Sequence, residues 1–242
     1  MKYNIKGNNL QIVTLQLDPG EKVYGEAGSM VYMSENVHME AKARGGILKG
    51  LGRKLTGESF FMTEFTAKSP GALVAFGGRV PGTIRPLNVS RGVWLAQRDA
   101  FLVAEDGVEM SVALQRKLSS SFFGGEGFIL QRFSGRGTVF IHAAGDFVEF
   151  DLKPGETLLV DTASAVAWQE SVNYEITRVK GIKTMLFGGE GIFLTRLVGP
   201  GKIIIQSMNI RELALALAPF MPSQSSGNQG GVLGSIVNNT LG

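Results

Sequence analysis

Apolar residues along this chain recur at every second position over short stretches, and Gly or Pro interrupts each stretch. That alternation predicts many short β-strands joined by tight turns. Three of the stretches resemble one another, each opened by a Gly-Glu step. Phe60, Phe61 and Met62 follow Gly57-Glu58; Phe128, Ile129 and Leu130 follow Gly125-Glu126-Gly127; Ile192, Phe193 and Leu194 follow Gly189-Glu190-Gly191. Read at period two, one face carries Phe60 and Met62, Phe128 and Leu130, or Ile192 and Leu194. The opposite face carries Phe61 and Phe65, Ile129 and Phe133, or Phe193 and Leu197. Apolar residues on both faces predict strands covered from both sides, inside a sandwich or at a subunit contact.

A second landmark precedes each of these strands. Leu17-Asp18-Pro19-Gly20-Glu21 recurs as Leu152-Lys153-Pro154-Gly155-Glu156, and the match continues without a gap. It pairs Val23 with Leu158, Val31 with Val166 and Met33 with Trp168. Pro followed by Gly suits the central positions of a type II turn. Leu87-Asn88-Val89-Ser90-Arg91 occupies the same place in the middle of the chain, leading to Val93, Phe101 and Val103, and needs another kind of turn. Two landmarks in the same order, three times over, predict three internal repeats at about 10–86, 87–151 and 152–209.

The strand pattern ends near Asn209, a helix-capping residue with Glu212 three positions on and Leu213 and Leu217 on one face. A short helix is expected over 209–218, stopped by Pro219 and Pro222, with one β domain spanning 1–222. Ser, Gln and Gly then dominate 223–231, and a flexible tail is expected over 223–242.

Composition narrows the function more than the fold. Of 242 residues, 44% are hydrophobic and 19% charged, as in a folded globular chain. The absence of cysteine excludes disulfides, thiolate metal sites and cysteine nucleophiles, and fits a cytoplasmic setting. No run approaches the roughly 18 apolar residues of a spanning helix, and the N-terminus lacks a signal-peptide pattern. A net charge of +3 makes the chain only mildly basic.

The Phe-Gly-Gly-Glu-Gly strand openings, the Leu-x-Pro-Gly-Glu turns and the segment from Gly45-Gly46-Ile47-Leu48 to Thr56-Gly57-Glu58 carry a family resemblance. Over about residues 1–220 the chain resembles the altered-inheritance-of-mitochondria family and its bacterial relatives, a domain of unknown function. The resemblance implies a fold similar to the tryptophan RNA-binding attenuation protein. That TRAP-like fold would be an all-β sandwich or double-stranded β-helix, with the three repeats in a pseudo-threefold arrangement and one short C-terminal helix. It implies little about activity, because fold does not determine function. No residue matches the tryptophan or RNA sites of the attenuation protein, so none is carried over.

Candidate chemistry is sparse. Glu58, Glu126 and Glu190 repeat with the strands and, if they converged, would offer carboxylates to a cation. The favoured reading is structural: equivalent positions in duplicated units inherit the same job, and each carboxylate accepts hydrogen bonds or pairs with a base. His38 and His142, the two histidines, lack the spacing of a metal site, and no nucleophile elbow or phosphate-binding loop appears in a strand-to-helix context. No cofactor is expected. Lys42, Arg44, Lys49, Arg53 and Lys54 form one concentrated basic segment among glycines, suited to nucleic-acid phosphates or an anionic membrane surface. Arg116-Lys117 and the pair Lys180 and Lys183 sit in the corresponding excursions of the other repeats. The leading expectation is a non-enzymatic binding or scaffold protein that self-associates as a homo-oligomer. Anionic contact through the basic loops is the alternative, and a carboxylate-based enzyme or metal site the third.

Overall fold

A computed structural model of the chain describes residues 1–44, 60–116, 127–179 and 193–220. The first strands are β1 (Lys2–Lys6), β2 (Ile12–Leu17), β3 (Lys22–Gly25), β4 (Met30–Met33), β5 (Val37–Arg44), β6 (Phe60–Ala67) and β7 (Ala72–Gly77). The next six are β8 (Gly82–Asn88), β9 (Trp94–Gln97), β10 (Phe101–Glu105), β11 (Val108–Arg116), β12 (Phe128–Gly135) and β13 (Thr138–Ala144). The last six are β14 (Phe147–Leu152), β15 (Thr157–Asp161), β16 (Ala165–Gln169), β17 (Asn173–Arg178), β18 (Phe193–Val198) and β19 (Gly201–Gln206). The fold is all-β, with one short α-helix among the described residues, α1 (Ile210–Leu217), following the last strand.

Alternation places the side chains. In β2, Val13, Leu15 and Leu17 are buried while Thr14 and Gln16 are not. The turn into β3 shows why Pro-Gly-Glu recurs. Gly20 and Gly155 adopt positive φ after Pro19 and Pro154, and the N–H groups of Glu21 and Glu156 donate to the carbonyls of Asp18 and Lys153. Each glutamate then turns back: Glu21 accepts from the Asp18 N–H at 2.8 Å, and Glu156 from the Lys153 N–H at 2.9 Å. In the middle of the chain the same place holds a 3-10 turn, Val89–Arg91, capped by the Asn88 side chain through the Ser90 N–H.

Among the described residues all the strand pairs are antiparallel, in sheets ordered β1-β2-β7-β4, β5-β6-β3-β10-β13-β8, β11-β12-β9-β16-β19-β14 and β15-β18-β17. Each set of six strands makes two half-sheets: β2-β7-β4 and β5-β6-β3, then β8-β13-β10 and β11-β12-β9, then β14-β19-β16 and β17-β18-β15. Two edge contacts, β3 with β10 and β9 with β16, fuse neighbouring half-sheets into the six-stranded sheets. One bulge recurs in the second strand of each contact: between Phe101 and Val103 in β10 and between Ala165 and Ala167 in β16. β4 carries it too, between Met30 and Tyr32.

This register corrects the sequence alignment in the middle of the chain. The ladders place Trp94, not Val93, in the position of Val23 and Leu158. Ala104, not Val103, stands with Met33 and Trp168. The 3-10 turn carries a different number of residues from the Pro-Gly turn, and a slip of one residue sends a side chain to the opposite face.

Three cores lie between successive sheets. Val13, Leu15, Phe65, Phe76 and Phe140 fill the first; Phe101, Phe133, Val139 and Val166 the second; Leu130, Trp168, Leu197 and Ile203 the third. Strands inside the six-stranded sheets serve two cores at once, so Val103 joins the first and Ala104 the second. Phe133 is fully buried and stacks on Phe101 at 5.4 Å between ring centres. Phe133→Ala is expected to lower unfolding free energy by about 3–5 kcal/mol in a denaturant titration, the cost of a large aromatic cavity.

At the β9–β16 contact, Arg132 clasps Glu170 with two hydrogen bonds, at 2.7 and 3.2 Å. The guanidinium holds the Glu170 carboxyl below the usual carboxylate range, against the smaller effect of burial. A lowered pKa contributes stability that is present above the ordinary carboxylate value and lost as pH falls through the lowered one. Glu170→Gln should therefore cost up to about 1 kcal/mol at pH 7, since the pair is solvent-screened. That difference from the native chain should vanish in melts taken at acid pH.

Candidate interaction surface

β4 is an outer strand of the first sheet, opposite β1, and β15 an outer strand of the last, opposite β17, and each leaves one side unpaired among the described residues. Their structural counterparts are inside sheets. β4 corresponds to β10 and β16, which share its bulge and its pairing with the following strand. β15 corresponds to β3 and β9, each lying beside the strand that carries Phe65, Phe133 or Leu197.

Exposure departs from these counterparts in a consistent way. Val31, Tyr32 and Met33 of β4 are 52%, 45% and 37% exposed, whereas Leu102, Val103, Ala104, Val166, Ala167 and Trp168 are all buried. In β15, Leu159 is 59% exposed, whereas Tyr24 and Leu95 are buried. Tyr32 gains one local partner, its hydroxyl hydrogen-bonding the Thr14 hydroxyl at 2.8 Å. An apolar strand edge with open backbone groups is a template for further pairing. Ile210, Leu217 and Phe220 add exposed apolar side chains at the helix end, where the Asn209 side chain caps α1 by accepting from the Glu212 N–H.

The basic segment is only partly within the described residues. Lys42 lies on β5 with its ammonium 2.7 Å from a carboxylate oxygen of Glu64 and 3.5 Å from one of Glu40. Its pKa is raised, first by the Glu64 hydrogen bond. Lys22 approaches the same Glu64 oxygen at 3.2 Å, so this buried acid serves two lysines. Arg44 ends β5, its backbone opposite Phe60 of β6. Lys49, Arg53, Lys54 and the three repeated glutamates, Glu58, Glu126 and Glu190, lie outside the described residues, as do Lys117, Lys180 and Lys183. Arg116, at the end of β11, donates to the Ile176 carbonyl at 2.7 Å. Glu64 was not singled out from sequence: nothing local marks a buried acid whose partners come from two other strands.

The two histidines separate. His38 is exposed on β5, while His142 of β13 is buried beside an open cleft that Val80, Gln97, Asp99, Gln206 and Asn209 also line. Two of the cleft's amides hold the framework. Gln206 accepts from the Ala144 N–H and donates to the Ala163 carbonyl, and Asn209 caps the helix. Among the described residues no group of three or more His, Asp or Glu side chains is arranged to hold a metal ion. No helix there is long and apolar enough to cross a membrane.

Burial pushes the His142 imidazole below the ordinary histidine value, and a hydrogen bond with the Val80 backbone only partly opposes this. Stability from keeping His142 neutral is present above the ordinary value and is lost as pH falls below it, where the unfolded chain takes up a proton first. An NMR titration of the two imidazoles is expected to show the His142 midpoint below about 6.5. A midpoint at or above that value would contradict the burial.

The arrangement defines a class before it defines a chemistry: stacked antiparallel sheets that end in open apolar edges. The chain belongs to the family described as mitochondrial biogenesis AIM24, whose model matches residues 3–208. It is 31% identical over 235 residues to an uncharacterised protein of Streptococcus pyogenes serotype M6, covering 93% of each chain. It is also similar to the crystal structure of a Streptococcus pyogenes protein solved in a structural genomics programme. That likeness has a TM-score of 0.73 at 28% identity, covering 91% of this chain and 99% of the other.

Proposed function

We propose that this protein is a non-enzymatic scaffold that assembles with copies of itself through its β-strand edges. One observation carries the reading: β4 exposes Val31, Tyr32 and Met33 at positions whose counterparts in β10 and β16 are buried. Removing those three side chains from water is favourable at about 25 cal/mol per Å² of apolar surface, and pairing the strand satisfies its free backbone groups. The engaged amides of the His142 cleft support a structural rather than a catalytic use of that site. The reading sets the protein in the cytoplasm, in keeping with its lack of cysteine.

Contact with nucleic acid or an anionic membrane would rest on Arg44, Lys49, Arg53 and Lys54, because Glu64 and Glu40 already engage the Lys42 ammonium. Light scattering coupled to size exclusion is expected to give a mass that is a multiple of the 26.0 kDa chain. Val31→Lys should shift it toward the single-chain mass while leaving the melting transition cooperative. A native chain that stays strictly monomeric at micromolar concentration would overturn the scaffold reading.

A further inference from the structure

We infer that the His142 cleft binds a guanidinium group, held by the Asp99 carboxylate and the Gln97 amide. The chain contains a precedent, visible once equivalent corners of the fold are compared. Gly25, Ala96 and Val160 stand opposite Thr63, Gln131 and Thr195, each two residues before Phe65, Phe133 or Leu197. The next residues, Glu26, Gln97 and Asp161, are therefore counterparts. Phe76, Ile141 and Ile205 are matched in the same way by pairing with Met30, Phe101 and Ala165. Three residues beyond them stand Arg79, Ala144 and Met208.

At the first corner a guanidinium is already in place. The Arg79 Nη2 donates to Glu26 at 2.9 Å, and a Cβ built on Gly28 would lie 3.5 Å from the same nitrogen. A side chain at that position would therefore touch the guanidinium. At the second corner such a side chain exists, because the counterpart of Gly28 is Asp99, two residues beyond Gln97. The place of Arg79 is taken by Ala144, whose N–H donates to the Gln206 amide. Gln97 and Asp99 line the cleft together with Ala100, Ala144 and Ala163. The second corner thus keeps groups that would face a guanidinium and has an alanine where the first has its arginine.

Those groups are also uncommitted. Glu26 and Asp161 are engaged, by Arg79 and by the Ala163 N–H. Gln97 is only 7% exposed, yet its side chain makes no hydrogen bond among the described residues. A buried amide without a partner is costly, and a ligand that bonds to it recovers that cost. Asp99 is exposed and makes no ion pair among the described residues. A planar guanidinium carries several donors in a rigid fork, able to reach a carboxylate and an amide oxygen at once. An ammonium is a more strongly hydrated point charge and suits the pair less well. Burial keeps the His142 pKa low, so near pH 7 the imidazole adds no opposing charge.

The test is an NMR titration of the full-length chain that follows the Gln97 side-chain amide and the His142 imidazole. Ethylguanidinium is expected to shift both, with half-saturation at about 1 mM. Ethylurea, similar in shape but uncharged, should leave them in place. Asp99→Asn should weaken binding about fivefold or more, and Gln97→Glu, which restores the acid of the first corner, should tighten it by a similar factor. Ala144→Arg should abolish binding by supplying the guanidinium from within the chain. N-acetylarginine methylamide separates the two sources of this headgroup. Binding as tight as that of ethylguanidinium marks an arginine side chain of a partner, and weaker binding marks a free small molecule. The absence of a saturable shift with ethylguanidinium, or an equal response to ethylurea, would overturn the inference. So would binding that Asp99→Asn leaves unchanged in a chain that still melts cooperatively.

Discussion

Backbone hydrogen bonding at strand edges governs this molecule. A half-sheet of three strands leaves N–H and C=O groups open along its flank, and those groups must find partners in water or in another strand. Here β3 meets β10 and β9 meets β16, so two flanks are closed by the half-sheets that follow them. The fused sheets are then covered on both faces. Tyr24, Ala104, Leu95 and Trp168 can be wholly apolar surroundings for one another because each sits in mid-sheet rather than at a rim.

Everything recognisable as a candidate site follows from where that closure stops. Sheet fusion covers β3, β10, β9 and β16 but leaves their counterparts β4 and β15 as outer strands, which is why Val31, Tyr32, Met33 and Leu159 are exposed. By contrast, polar groups near the His142 cleft are drawn into the framework, with Gln206 tying β19 to its neighbours and Asn209 starting the helix. In this member of the AIM24 family, apolar side chains are exposed on outer strands.

Local features were legible in the sequence because their physics is local. Pro19-Gly20 and Pro154-Gly155 encode the turn by themselves, the first residue presetting φ and the second tolerating a positive value. Asn209 and Glu212 announce the helix start, three residues apart, as the observed cap requires. Period-two burial of Phe65, Phe133 and Leu197 could likewise be read from alternation. The partners of Lys42 could not, since Glu64 reaches it across a β-ladder. Nor could the place of Trp94 be read, because the residue count of a 3-10 turn decides which face it takes.

Val31 and Val166 mark the boundary between the two kinds of information. The sequence by itself determined that both are strand valines at matched positions, since turn chemistry and alternation act over a few residues. Only the tertiary structure decided that one is 52% exposed and the other 1%. The side chains are identical. Among the described residues β16 has a neighbour on each side, whereas β4 has β7 on one side alone, and that difference arises from pairings made far along the chain.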